Sequence, residues 1–301
     1  MATFNKVDIY AKVTDTIIKA LETPDSVLPW RKPWRDGGLL PRNGTSGRPY
    51  SGVNTFYLLS VASINGWSSN DWFTFKGAKK AGGSVRRGER SKAAVIYFER
   101  RMVTDEKAKD GKRMVPFIRE FAVFNREQCD GLEDWNLDKD FTPLDDSERV
   151  AEVENFIKAT GASIKDGAQA CYRPSFDDIE VPPFGSFEDS EMYYSTVLHE
   201  LSHWTGHKSR LDRDLTGRFG NKAYSAEELV AEFSSAFLCN IMRIDGKCQH
   251  TEYINNWIRL LREDKKAIFK CCSSAREASD FLLNLGGVEV WEDAEAETVK
   301  A

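Results

Sequence analysis

Five consecutive residues, from His199 to His203, have the types and spacing needed to build a metal-dependent hydrolytic site. On a helix, two histidines four positions apart are separated by about 40° around the axis, so both imidazoles can reach one cation. Glu200 is offset from the first histidine by about a quarter turn, where its carboxylate can contact a water molecule without binding the metal. Two histidine ligands, a polarised water and a carboxylate base are typical of zinc hydrolases. The segment therefore predicts a bound divalent metal, Zn²⁺ by default and Mn²⁺ as the alternative.

A catalytic zinc usually has a third protein ligand. His207 shares the helical face of His199 only if the helix continues past Gly206, which is expected to end it. The metzincin spacing would place a histidine at position 209, where this chain has Ser209, so that class is excluded. The better candidates lie on a second predicted helix.

Glu228 and Glu232 are four positions apart on that second helix, which extends to about residue 244. They share a face, so one can bind the metal while the other accepts the ring N–H of a ligand histidine. This resembles the gluzincin arrangement. We predict Glu228 as the ligand and Glu232 as its support, and the reverse assignment stays open. In the alternative, Glu227, Glu228 and Glu232 form a solvated face near a helix N-terminus, where carboxylates suit the dipole.

The 301 residues are enough for two domains, and charge divides the chain in two. Residues 1–130 contain 23 Lys and Arg against 14 Asp and Glu, a net charge of +9, whereas residues 131–301 have a net charge of −14. No apolar stretch is long enough to span a membrane, the N-terminus lacks a signal-peptide core, and the six cysteines show no C-x-x-C spacing. We expect a cytoplasmic protein with reduced cysteines.

The pattern of apolar residues predicts an α+β fold with a small mixed α/β domain, followed by a mainly helical domain with a small sheet. The predicted divisions are a first domain at 1–130, an acidic linker at 131–146, a second domain at 147–291 and an acidic tail at 292–301. The expected helices of the first domain lie at 6–22 and 54–64, and its strands at 72–75, 93–99 and 117–124. In the second domain we expect helices at 147–160, 251–270 and 274–285, besides the two metal-site helices. Residues 177–181 are predicted to form the sheet edge that pairs with an extended substrate.

Positive charge is concentrated between residues 26 and 101, which contain 14 basic and 4 acidic residues interleaved with aromatic side chains. Cations neutralise phosphates, and flat aromatic faces stack on unpaired bases, so the segment predicts a single-stranded DNA binder. The residues expected to contact DNA lie in a proline-held loop and in a glycine-rich loop that lacks the ending of a P-loop: Trp30, Arg31, Lys32, Trp34, Arg35, Arg86 and Arg87. In the alternative, most of the aromatic residues belong to the core.

Several segments together resemble one family, the ArdC-type antirestriction proteins, whose N-terminal domain also opens the TraC-type primases of conjugative plasmids. These segments are residues 28–34, 50–54, 72–76, 82–89, 199–207, 209–211 and 224–232. The resemblance implies a first domain that binds single-stranded DNA, followed by a zincin-like metallopeptidase domain. It also implies that the protein protects incoming plasmid DNA from type I restriction enzymes.

Two interpretations stay open from the sequence. In one, the protein is a DNA-bound peptidase that cleaves a restriction-enzyme subunit or another DNA-bound protein, with Glu200 as the base. Tyr224, His207 or Arg210 would then stabilise the oxyanion. In the other, it shields single strands, and its metal site is structural or regulatory. A nuclease is a weaker third option, because no acidic cluster for two magnesium ions stands out.

Overall fold

Three helices, a four-stranded sheet and a two-stranded sheet of β3 and β6 are described in the first half of the chain. The computed structural model describes residues 8–23, 28, 30, 40–104, 112–132, 146–216, 221–244 and 253–288. The elements of the first half are α1 (Ile9–Leu21), β1 (Arg42–Asn43), α2 (Val53–Asn65), β2 (Asp71–Phe73), α3 (Phe75–Lys80), β3 (Ser84–Val85), β4 (Ala93–Thr104), β5 (Lys112–Asn125) and β6 (Cys129–Asp130). The sheet has the order β1-β2-β5-β4, with β4 and β5 forming a long antiparallel pair.

Local signals account for the ends of these elements. Asp8 caps α1 by accepting the backbone N–H groups of Tyr10 and Ala11. The strand expected at 72–75 ends earlier, at Phe73. Thr74 accepts the N–H of Gly77 and starts α3, so Phe75 is helical and that part of the prediction was wrong.

The second half is mainly helical around a three-stranded sheet. Its elements are α4 (Asp146–Ala159), β7 (Ser163–Asp166), β8 (Cys171–Arg173), β9 (Asp178–Val181), α5 (Ser190–Trp204), α6 (Lys222–Ile241), α7 (Ile254–Glu263) and α8 (Ala267–Leu285). The sheet has the order β7-β9-β8, with β9 parallel to β7 and antiparallel to β8. The segment predicted as the edge is therefore the central strand, and the prediction is corrected. β7 and β8 are the edge strands, and β8 contacts α5.

The two halves share one hydrophobic core, and α6 lies in the middle of it. The ring of Phe233 on α6 stacks on the ring of Phe56 on α2, with 3.8 Å between the ring centroids. Phe237 packs against the same Phe56 ring edge-on. Helix α1 contacts α7, and α2 contacts α8. The α+β, two-domain class is confirmed, but the two domains bury their apolar faces against each other.

Within the described residues, none of the helices is both long and apolar enough to cross a bilayer. The five cysteines described there are free thiols, and four of them are buried. Residues 133–145 of the predicted linker and the acidic tail lie outside the described residues, so the predicted boundaries stay predictions.

Candidate metal centre

Helix α5 presents the histidine pair because its other side is fixed in the core. Asp189 caps the helix by accepting the N–H of Met192, and Leu198 and Leu201 are fully buried. His199 and His203 therefore point away from that core, and their ring centroids lie 4.9 Å apart.

Helix α6 brings the carboxylate of Glu228 to both imidazoles. Its Oε2 lies 3.7 Å from His199 Nε2, and its Oε1 lies 3.7 Å from His203 Nε2. One donor atom from each of the three residues falls within 4.8 Å of the other two. Two imidazole nitrogens and a carboxylate oxygen are ligands that a divalent transition metal prefers, so this donor set fits one ion. His207 is not part of the cluster, and its Nδ1 lies 2.8 Å from Ser209 Oγ.

Glu227, predicted only as one acid of the alternative solvated face, supports His203. Its Oε1 lies 3.2 Å from His203 Nδ1. Burial by itself lowers the pKa of His203, but the hydrogen bond with Glu227 and the negative charges of Glu228, Glu227 and Glu200 outweigh it and raise that pKa to about 9. A group of acids that attracts a proton this strongly is also suited to a divalent cation.

Arg213 holds Glu227 in turn. Its guanidinium donates to both carboxylate oxygens, at 2.8 and 3.0 Å, and to the backbone oxygen of Ser202 on α5 at 2.7 Å. A Cβ atom at Gly206 would lie 3.0 Å from a guanidinium nitrogen of Arg213. Glycine at this position therefore lets the loop after α5 return against its own helix, which ties α5, the loop and α6 together.

Replacing Glu227 with Gln is expected to lower the affinity for Zn²⁺ or Mn²⁺ about 10- to 100-fold, the usual cost of losing a partner of a ligand histidine. The amide can still accept a hydrogen bond but carries no charge to polarise the imidazole. Isothermal titration with each metal measures the effect, and Glu188→Gln, on an exposed residue, is the matched control. Equal affinities in the two variants would contradict the assigned role.

The carboxylate of Glu200 faces the edge strand of the small sheet. Its Oε2 accepts the backbone N–H of Tyr172 on β8 at 2.8 Å. The Tyr172 hydroxyl donates to Asp177, which also receives the guanidinium of Arg210. Arg210 lies over the ring of Trp204 as well, 3.8 Å from its centroid. These contacts hold β8 beside α5.

A cleft of about 630 Å³ opens over these groups. Its lining includes the histidine pair, Glu200, Glu228, the end of β8 and two tyrosines, Tyr224 and Tyr253. The two tyrosine hydroxyls lie 3.1 Å apart. The cleft is large enough for a segment of polypeptide, and its polar groups converge at the metal-binding cluster.

Glu232 and Trp30 meet inside the shared core. Trp30 is only 5% exposed, Glu232 is fully buried, and the indole N–H donates to Glu232 Oε1 at 3.0 Å. The prediction that Trp30 stacks on DNA bases is corrected, because its ring is enclosed edge-on by Phe56 and Phe233. Among the described residues, Glu227 is the acid that contacts the Nδ1 ring nitrogen of His203. The role predicted for Glu232 at the metal site stays a prediction.

Changing Trp30 to Phe is expected to destabilise the protein, because the smaller ring packs less well and a buried hydrogen bond to a carboxylate is removed. The lost hydrogen bond should account for about 1.5–3 kcal/mol of the total. Trp72→Phe is the matched control, since Trp72 is equally buried and its indole nitrogen makes no hydrogen bond with the described residues. Urea unfolding of both variants measures the difference. Similar losses of stability would mean that the hydrogen bond contributes little.

The other predicted DNA contacts divide into two groups. Arg86 and Arg87 are both exposed, and Arg86 also pairs with Asp130 at 3.1 Å and with Glu89 at 3.7 Å. The remaining four predicted residues, Arg31, Lys32, Trp34 and Arg35, lie outside the described residues. Their contacts with DNA stay predictions.

Two family models match the chain, one in each half. The model described as the N-terminal domain of anti-restriction factor ArdC matches residues 7–124, and the zincin-like metallopeptidase model matches residues 151–274. The uncharacterized protein y4eC of Sinorhizobium fredii is 36% identical over 286 residues, which cover 91% of each chain. A DNA primase TraC of Escherichia coli is 34% identical over 98% of this chain, which spans only 29% of that primase.

Solved structures are similar over nearly the whole chain. The metal-free crystal structure of the antirestriction ArdC protein from R388 plasmid is 35% identical, with a TM-score of 0.77, over 94% of this chain and all of that one. The Mn(II)-bound structure of the same protein gives a TM-score of 0.73 over 93% of this chain and 98% of that one. The zincin-like match and this manganese-bound relative agree with a divalent metal at the cluster of His199, His203 and Glu228.

Proposed function

Because this chain belongs to the family of ArdC-type antirestriction proteins, we propose that it binds single-stranded DNA and carries a metal-dependent peptidase site. We further propose that it protects incoming plasmid DNA from restriction. The substrate would be a restriction-enzyme subunit or another protein bound to the same DNA.

The observation that supports a hydrolytic site is the convergence of two imidazoles from α5 and one carboxylate from α6, with Glu200 in the same cleft. When bound there, a zinc or manganese ion would supply Lewis acidity and lower the pKa of a water molecule. Glu200 accepts a proton from the attacking water and passes it to the leaving amine. The N–H of Tyr172 keeps its carboxylate in the cleft during both transfers.

Tyr224 is the best placed of the three groups considered for stabilising the oxyanion. Arg210 is engaged by Asp177 and by the backbone oxygen of Trp204. His207 contacts Ser209 instead of the cluster. The Tyr224 hydroxyl lines the cleft, where an O–H donor can stabilise negative charge that develops on a carbonyl oxygen.

The positive charge of the first half supports the DNA-binding part of the proposal. Arg31, Lys32 and Arg35 are expected to contact phosphates beside Trp34, and exposed Arg87 lies in a second basic loop. Each phosphate contact makes binding more dependent on salt.

A plasmid-transfer assay into a restricting host tests the whole proposal. It compares the wild type, Glu200→Gln and a variant with Arg31, Lys32, Arg35 and Arg87 changed to Ala. A DNA-bound peptidase requires both sets of residues, so each variant should lose protection. Exposed Lys158→Ala is the control for a change of surface charge.

Protection that survives Glu200→Gln and is lost in the basic-residue variant would instead favour a shield for single strands with a structural or regulatory metal site. A shield must be present in a stoichiometric amount relative to the DNA, whereas a peptidase can act at substoichiometric amounts. Titrating the protein level in the same assay separates the two.

A further inference from the structure

Strands β4 and β5 continue well past the point where the core covers them. They contain 12 and 14 residues, whereas strands in globular proteins usually contain five or six. Residues 93–96 of β4 are buried, but most residues beyond them are exposed. We call residues 97–104 and 112–119 the β4–β5 arm.

One face of the β4–β5 arm carries large apolar side chains. Successive residues of a strand point to opposite faces, and directly paired residues share a face. The pairs Phe98 with Ile118 and Met102 with Met114 therefore lie on one side. Phe98, Met102 and Met114 are 57%, 58% and 54% exposed, although soluble proteins usually bury such groups.

Positive charge is interleaved with this apolar face. Arg100 lies between Phe98 and Met102 on β4, and Lys112 lies two residues before Met114 on the same face of β5. The arm contains five basic residues and one acidic residue. That acid, Glu99, lies on the other face between Arg101 at 2.8 Å and Arg119 at 3.3 Å, so it does not offset Arg100 or Lys112.

We propose that the β4–β5 arm binds single-stranded DNA, with Phe98 and its neighbouring methionines contacting bases and with Arg100 and Lys112 contacting phosphates. Cations placed between aromatic and other apolar groups match a backbone of phosphates that carries unstacked bases. A duplex hides its base faces, so it offers phosphates but nothing for Phe98 to stack on. The inference rests on the strand-binding function proposed above and assigns it a surface.

Fluorescence anisotropy with the full chain and a labelled oligothymidylate of about 16 nucleotides, the upper end of known site sizes, tests the arm. Phe98→Ala is expected to weaken binding at least about fivefold, because losing a base–aromatic stack costs about that much or more. Arg100→Ala and Lys112→Ala should each lower the salt slope by about 0.7. Phe176→Ala and Lys158→Ala, at exposed positions of the other half, are the matched controls and should bind like the wild type.

Each outcome is decisive once circular dichroism shows that the variants are folded. Wild-type binding that Phe98→Ala and the charge variants leave unchanged would overturn the arm assignment and keep the proposed strand binding. An absence of wild-type binding would overturn both. If Phe98→Ala weakens binding to a duplex of the same length as much as to the single strand, the arm does not recognise unpaired bases, and the proposal fails.

Discussion

Glu200→Gln is expected to lower peptidase turnover by about 10²- to 10⁴-fold, the usual contribution of a general base, while metal content stays unchanged. The amide cannot accept a proton from water near neutral pH. It can still accept the N–H of Tyr172, which the carboxylate accepts at 2.8 Å, so β8 should remain beside α5. Hydrolysis of fluorescently labelled casein measures the turnover, and elemental analysis measures the bound metal.

Glu191→Gln is the control for this prediction, because it makes the same change on the same helix, more than two turns before the histidine pair. It should retain full activity. If Glu200→Gln kept its metal and hydrolysed casein like the wild type, Glu200 would not be the base. If the wild type with bound metal failed to hydrolyse casein or other unfolded proteins, the shield interpretation would gain support.

Glu228→Ala is expected to abolish the stabilisation that a bound metal gives to the folded chain. A ligand present at about 100 times its Kd stabilises the native state by about 2.7 kcal/mol. For a chain of this size that corresponds to a rise in Tm of about 5 °C, at roughly 2 °C per kcal/mol. Glu228 is the ligand that we propose on α6, and without it an ion would no longer join α5 to α6. Thermal unfolding with and without Zn²⁺ or Mn²⁺ measures the shift.

Two other variants sharpen this measurement. Glu277→Ala removes an exposed carboxylate from α8 and should keep the full metal-dependent shift. Glu232→Ala should keep part of the shift if Glu228 is the ligand. A full shift in Glu228→Ala together with none in Glu232→Ala would support the reverse assignment that the sequence left open.

Local periodicity was enough to predict the parts of the site that lie on one helix. The spacing of His199 and His203 fixes their common face wherever the helix lies, and the same holds for Glu228 and Glu232. The alternative of a solvated acidic face does not hold, because Glu228 is 7% exposed and Glu232 is fully buried. Glu227 and Glu228 both approach His203, one at each ring nitrogen. Which nitrogen each acid reaches depends on the rotation of α6 against α5, so the role of Glu227 could not be read from spacing.

Other features depend on residues far apart in the chain. Trp30 follows a proline and precedes several cations, a pattern typical of a surface loop, but its hydrogen-bond partner lies 202 positions later. The order of β7, β8 and β9 depends on the parallel pairing of β7 with β9. Short apolar runs in the sequence do not specify that pairing. The start of α3 is a local feature, because threonine is a common N-cap residue and Thr74 accepts the N–H of Gly77.

Helix α6 has a consequence for how this protein can be divided. One side of the helix contributes Glu228 to the cleft, and the opposite half of the chain covers Phe233 and Phe237. A fragment cut between the halves would leave those rings in water and would lose the Trp30 partner of Glu232. We therefore expect the two halves to fold as one unit, and the metal-binding half should aggregate when it is produced alone.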